Sequence, residues 1–386
     1  MNPPLRKSPC KETYITNDAG MLKKYLFLSL SIVLVLPLMP AQALCSENIR
    51  VAIADNQRNV VLSSPTGFVV EGRNSLQGER TLTVSAASVG SRPLRVRSAG
   101  DFIRVNKKSF RGWVELRKKK NGLLLAVNEL DIELYLLGVI ASEIPHDWHP
   151  ETLRAQAVAS RTYALYQKRM AEGRPYHVLA TENSQMYNGR NGERPSTSQA
   201  VQETAGQVLL YEGELIPAFY HSSCGGHTED ASILWDVREP YLQGVDCDCQ
   251  NISKYGQWER RFRVDTIAHA LRRRGYPVMQ ITAATQGAIT PAGRVKDVAI
   301  RHNGGATVVP AEVLRAAVGN ALIPSVFFEL ELSQTGRELV FSGRGMGHGV
   351  GLCQWGAEEM ARRKFSYRSI LGHYYPGTGI AAMEEL

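Results

Sequence analysis

The chain lacks an extended tract in which basic and aromatic residues alternate, and no Gly-Lys-Ser/Thr follows its glycine-rich segment. It therefore gives no sign of a nucleic-acid surface or of a phosphate-cradling loop. A large charge imbalance is also missing. Of the formal net charge of +8, Arg6, Lys7, Lys11, Lys23 and Lys24 against Glu12 and Asp18 place +3 before residue 44, leaving an ordinary +5 for the remainder. The apolar stretch from Tyr25 to Met39 is about 15 residues, short of the ~20 that cross a bilayer with ease. What remains, 386 residues that are 44% hydrophobic and 21% charged, is a globular chain of one large or two ordinary domains.

Met21-Leu-Lys-Lys, the apolar stretch, Pro40 and Ala41-Gln-Ala43 have the charged, apolar and small-residue regions of a secretory signal. Export to the periplasm or cell envelope is expected. Two alternatives stay open: residues 1–20 form a short cytoplasmic tail or precede a true start at Met21, and an uncleaved segment serves as an anchor. Leu44 is too large to precede a lipidated Cys45. From Ile49 to Val105, short alternating apolar and polar runs separated by Gly, Pro, Asn and Asp predict five or six strands. Two more, around Trp113 and Leu123 to Asn128, form a hairpin with a charged tip at Lys118 to Gly122. The fold expected is α+β, with residues 1–43 as leader, 45–106 as a β-rich region and 107–386 as a mixed domain built on one long central helix.

That helix begins at Pro150, with Glu151 in its first turn and Leu153, Ala157, Val158, Ala164 and Leu165 as its core stripe, and stops near Gly173. Just before it, the apolar run Leu134 to Ala141 ends at Ser142-Glu143-Ile144-Pro145. Pro145 pushes residue 144 out of helical geometry. A carboxylate among Ile140, Ile144, Pro145 and Trp148 is partly desolvated, which raises its pKa and makes Glu143 a candidate general acid. The competing reading is a glutamate that caps or salt-bridges the helix entrance. Glu129, Asp131 and Glu133 are expected to face solvent. The long polar stretch His177 to Ser198 reads as a functional or mobile loop.

His221-Ser-Ser-Cys224-Gly-Gly-His227 and Cys247-Asp-Cys249 supply two imidazoles and three thiols. Such spacing fits a tetrahedral structural zinc with its four ligands drawn from His221, Cys224, His227, Cys247 and Cys249. It fits equally a disulfide from Cys224 to Cys247 or Cys249 in an exported protein. Cys353, far off in sequence, is expected to be a small buried residue. In Phe341-Ser-Gly-Arg-Gly-Met-Gly-His348-Gly-Val-Gly-Leu-Cys-Gln354-Trp355, five glycines alternate with larger residues. This predicts a glycine-rich strand lining a groove, with His348 and Gln354 as hydrogen-bonding groups; the plain alternative is tight packing with His348 satisfied in the core.

Three blocks carry a resemblance: VNELDIELYLLGVIASEIPHDWHPETLRAQAVASRTYAL, FYHSSCGGHTED with PYLQGV, and FSGRGMGHGVGLCQWGAEEMA with ILGHYYPGT. Together, from about Gly122 to Thr378, the chain resembles the stage II sporulation protein D / amidase-enhancer (SpoIID/LytB) family. The resemblance implies action on peptidoglycan. Some members are lytic transglycosylases whose acid is the glutamate of the motif seen here as SEIP, Glu143; others stimulate a cell-wall amidase. It also assigns Gln156, Arg161, Tyr163, His348, Gln354 and Tyr374 to a groove that orients the glycan or supports Glu143. The implied chemistry requires no cofactor, and its partners are glycan strands and a cell-wall amidase, with membrane contact only through an uncleaved signal.

Overall fold

The computed structural model describes residues 47–72 and 79–385. The signal-like segment, the residues before it and Cys45 lie outside the described residues. The fold is α+β, and the described residues belong to one unit, Leu44–Leu386. Its base is a six-stranded sheet in the order Val178–Leu179, Asn48–Gln57, Leu124–Asp131, Trp113–Lys118, Leu94–Ser98, Phe68–Val70. All neighbours are antiparallel except the first pair. Alternation sets the faces: Ile49 and Val51 are fully buried on the first long strand, as are Val114 and Leu116 on their own. A second sheet, Thr81–Ser85, Asn59–Ser63, Ile103–Val105, Lys108–Phe110, shares this core. The predicted strands before Val105 and the hairpin around Lys118 to Gly122 are present. The first sheet carries strands from both sides of residue 106, so the β-rich region and the hairpin are one layer.

Helices α1 (Ile132–Glu143) and α2 (Pro150–Met170) lie on this layer. Asp131 caps α1 by accepting from the backbone N–H groups of Glu133 and Leu134. The helix stops where Pro145 requires it: Ile144 is extended, with φ −133° and ψ 156°. α2 opens with Pro150 at its first turn and His149 Nδ1 accepting from the Glu151 N–H, and closes with Lys168 and Arg169 in the last turn. Acid first and base last complement the helix dipole. Glu133 does not face solvent, as its place in sequence had led us to expect. It receives both arms of the Arg161 guanidinium at 2.7 and 2.6 Å and the Gly206 N–H at 3.0 Å. Arg161, fully buried, also donates to the Gln207 carbonyl, so one ion pair ties α1, α2 and the strand Gln207–Tyr211 together. Glu129 is likewise bound, by Arg50 and Arg95.

Helices α3 (Pro195–Glu203) and α4 (Ala231–Trp235) follow. A satellite module comes next. Strands Trp258–Arg263, Glu338–Gly343 and Phe328–Leu332 form one sheet, and Ile281–Gln286, Asp297–His302 and Gly305–Pro310 another. With α5 (Val264–Arg272) and α6 (Ala311–Val318) they enclose their own core around Ile267, Leu271, Ile300 and Phe341. The chain then returns to the main body through α7 (Gln354–Arg362) and α8 (Tyr367–Tyr374), both packed on α2. The segment after Gly343 is not the glycine-rich strand expected. Gly345, Gly347, Gly349 and Gly351 all have positive φ, and that repeated reversal breaks any strand ladder. Among the described residues no helix is long and apolar enough to cross a membrane.

Replacing Arg161 by Leu leaves the half-buried Glu133 carboxylate without its counter-charge, with the Gly206 N–H as its remaining donor. The cost expected is about 3 kcal/mol, read as a lower urea midpoint at unchanged slope.

Candidate active site

Glu143, the last residue of α1, opens onto a groove of about 570 Å³. One wall is aromatic: Trp148, Tyr163, Phe219, Trp235 and Trp355 all line it. Trp148 and Trp355 meet edge to face at 4.8 Å between centroids, so α7 and the turn before α2 are joined across the groove end. Lys254, Tyr255 and Arg315 also line the groove, and Arg315 comes from the satellite module.

The Glu143 carboxyl is held through one oxygen. Oε1 accepts the Met186 N–H at 2.5 Å and the Tyr220 hydroxyl at 3.1 Å, and no described residue donates to Oε2. Desolvation by the surrounding protein pushes the pKa up to about 7, against the lowering effect of these two donors. Behind Tyr220 stands buried Gln185, whose amide nitrogen donates to the Tyr220 oxygen and the Ser160 carbonyl, while its oxygen accepts from Tyr135. The Met186 loop reaches α1 because Gly138 has no side chain. A Cβ there would lie 2.6 Å from the Gly189 carbonyl oxygen and 2.7 Å from the Tyr187 ring. Asn188 then donates to the Gly138 carbonyl and to Ser142 Oγ, locking the loop in place.

The other residues assigned to the groove divide. Tyr163, His348 and Gln354 line it. Gln156 is buried one step behind, accepting from Gln354 Nε2 at 3.4 Å and donating to Ser160 Oγ. Arg161 serves the Glu133 pair instead, and Tyr374 is buried against Cys247 Sγ at 3.1 Å. Neither of these two reaches the groove. His348 has both ring nitrogens occupied: Nδ1 accepts from the Val350 N–H, so Nε2 donates to the Tyr220 carbonyl at 2.9 Å. Burial lowers its pKa to about 4, leaving a neutral ring that fixes the loop beside Tyr220. Met186, Tyr220 and Gln185 were missed in the sequence; only the placement of Met186 and Gln185 in the long polar loop hinted at them.

Behind the groove wall the structure gathers a different metal-ligating set from the one that spacing indicated. The sulfurs of Cys224, Cys247, Cys249 and Cys353 all lie within 4.8 Å of one another, all four buried. Cys353 is buried as expected, and it is also the fourth member. His221 and His227 stand apart because the backbone holds their rings elsewhere. His221 Nδ1 bonds the Val350 carbonyl, and His227 Nδ1 bonds the Thr228 carbonyl with its side chain 41% exposed. The four thiols are free; Cys224 and Cys249 sulfurs are 3.4 Å apart, wider than a disulfide of about 2.05 Å.

Known families match this chain over two successive segments. The family model described as stage II sporulation protein matches residues 120–211, which hold α1, α2 and Glu143. A domain of unknown function, DUF8618, matches residues 236–351, which include the satellite module. An uncharacterized protein of Brachyspira hyodysenteriae is 35% identical over 263 residues, 67% of this chain and 69% of that one. The amidase enhancer of Bacillus subtilis is 30% identical over 64% of this chain but only 40% of its own length. The stage II sporulation protein D of Bacillus amyloliquefaciens is 29% identical over 66% of this chain and 76% of its own. With the SEIP glutamate at the base of the groove and these relatives beside it, the chain belongs to the stage II sporulation protein D / amidase-enhancer (SpoIID/LytB) family.

Proposed function

We propose that this chain is an exported cell-envelope protein that cleaves peptidoglycan glycan strands as a lytic transglycosylase, with Glu143 as its single acid and base. The observation that carries the reading is a carboxyl group raised to about 7 that lines a groove of about 570 Å³ rich in aromatic side chains. Because Met186 and Tyr220 both donate to Oε1, the proton of the neutral acid belongs on Oε2, the oxygen free to meet a glycosidic bond. Oε2 gives that proton to the oxygen between N-acetylmuramic acid and N-acetylglucosamine as positive charge develops at the anomeric carbon. The carboxylate left behind then takes the proton of the muramic 6-hydroxyl, whose oxygen closes on the anomeric carbon. The product carries a 1,6-anhydro end, Glu143 is protonated again, and no water is consumed. One carboxylate thus suffices, and the chemistry requires no cofactor.

A second reading has its own support: the relative named amidase enhancer. In that reading the same groove binds glycan without cutting it, and the protein presents wall substrate to a cell-wall amidase. Mass spectrometry of products from peptide-stripped and intact peptidoglycan separates the two. Wild type yields anhydro-ended fragments, and Glu143→Gln loses them by at least ~100-fold. No fragments from either protein, with wall binding kept by both, overturns the enzyme reading and leaves the enhancer.

The pH dependence follows from the same group. Since the protonated acid is the active form, kcat/KM falls as pH rises through about 7. Tyr220→Phe removes a bond that favours the charged form, so that limb moves to higher pH. Stability follows the same sign. The folded pKa lies above the ordinary 4.5, so the protonated group's contribution is complete below that value and is lost as pH rises through about 7. Glu143→Gln, neutral throughout, therefore gains stability relative to wild type between pH 5 and pH 8, measured as the difference in urea midpoints.

A further inference from the structure

We propose that Cys224, Cys247, Cys249 and Cys353 bind one zinc ion as an all-thiolate structural site, and that this ion joins the two halves of the groove wall. The assignment stands apart from the catalytic reading, since none of the four sulfurs touches Glu143.

Four buried thiols could in principle be small apolar side chains that happen to meet. Three observations point to a ligand. First, the sulfurs are mutually close rather than paired, all within 4.8 Å, with Cys224 and Cys249 at 3.4 Å. Zinc–sulfur bonds of ~2.3 Å at tetrahedral angles set sulfurs ~3.8 Å apart, a spacing that lies between the 3.4 Å pair and the 4.8 Å limit of this set. Second, donors are aimed at the sulfurs. Cys353 Sγ accepts the N–H groups of Cys224 and Gly356, each at 3.3 Å, Ser223 Oγ donates to Cys249 Sγ at 3.5 Å, and the Tyr374 hydroxyl is 3.1 Å from Cys247 Sγ. Such bonds stabilise thiolates, and outer partners of this kind orient metal ligands. Third, the surroundings are built for close approach. A Cβ on Gly356 would lie 2.3 Å from Cys247 Sγ. The buried Arg294 guanidinium donates to the Cys224 and His227 carbonyls at 2.8 and 3.1 Å. Arg294 also pairs with the buried Glu229 carboxylate at 3.6 Å, so what it gives the cysteine cluster is a fixed backbone around Cys224.

The ligands come from three separate segments. Cys224 follows the strand Tyr220–His221, Cys247 and Cys249 bracket the turn before the satellite module, and Cys353 caps α7. His221 and Ser222 precede the first ligand and Gln354 and Trp355 follow the last, and all four line the groove. The ion would therefore hold Tyr220, the partner of Glu143, in fixed register with Trp355.

The test uses the full chain expressed in zinc-supplemented medium and purified without chelator. Elemental analysis is expected to find one zinc per chain, released by chelator with a lower melting temperature and restored by added zinc. Exchange with cobalt should give the sulfur-to-cobalt charge-transfer and visible bands of a tetrahedral thiolate site. His227→Ala should keep the metal and Cys353→Ser should lose it; the wild-type metal content and cobalt spectrum decide the matter even if Cys353→Ser fails to fold. Alkylation and peptide mapping that find disulfides among the four cysteines overturn the proposal. So does a metal-free chain with four reactive thiols, or bound iron in place of zinc.

Discussion

Everything at the groove depends on surrounding one half-buried carboxyl group with protein while both of its described donors go to a single oxygen. Pro145 ends α1 at that group, so its side chain emerges at a helix terminus rather than along a helix face. The Met186 loop then covers it, and it can do so only because α1 carries a glycine where the loop backbone crosses. The Tyr135–Gln185–Tyr220 chain supplies the second donor and leaves no slack in the geometry. Two donors on one oxygen keep the pKa from rising further, and burial keeps it from falling to the usual carboxylate range. Removing either constraint changes which protonation state the group adopts near neutrality.

Much of this was visible in the chain itself, wherever the signal was local. Pro145, Trp148 and the apolar run mark Glu143 within a dozen residues, and the start of α2 is given by Pro150 and Glu151. Alternation found the strands before Val105, since a half-buried sheet imposes a period of two. What failed was long-range. Met186 and Tyr220 stand 43 and 77 residues from the carboxyl they bind, and no periodicity links them. A lone cysteine at 353 carries no spacing pattern, so its place among three others could not be inferred. Arg161 was given to the groove because it shares the motif of α2; its partner Glu133 was read as exposed, and the pair became apparent only when α1 was laid on α2.

The glycine-rich segment shows how the same residues admit two geometries. Alternating glycines suit a strand lining a ligand, yet here each glycine with positive φ turns the chain back. The result presents Met346 and His348 to the groove while spending both nitrogens of His348 on backbone groups. That histidine is thus a rigid spacer between the loop and the Tyr220 strand, and its aromatic contacts with Trp235 and Phe219 extend the apolar wall.

The parallel pairing of Tyr220–His221 with Leu352–Cys353 has a consequence for how the chain reaches this state. Contacts such as the Cys224 N–H to Cys353 Sγ join residues 129 apart in sequence, with the entire satellite module in between. The module has local strand pairs and its own core, so it can form early and shorten the excursion of the chain that separates the two strands. Closing the groove is then a step of high contact order, slow because the entropy of a long loop is lost before the pairing rewards it. By that argument the groove closes after the β-layer, whose strand partners lie nearer in sequence.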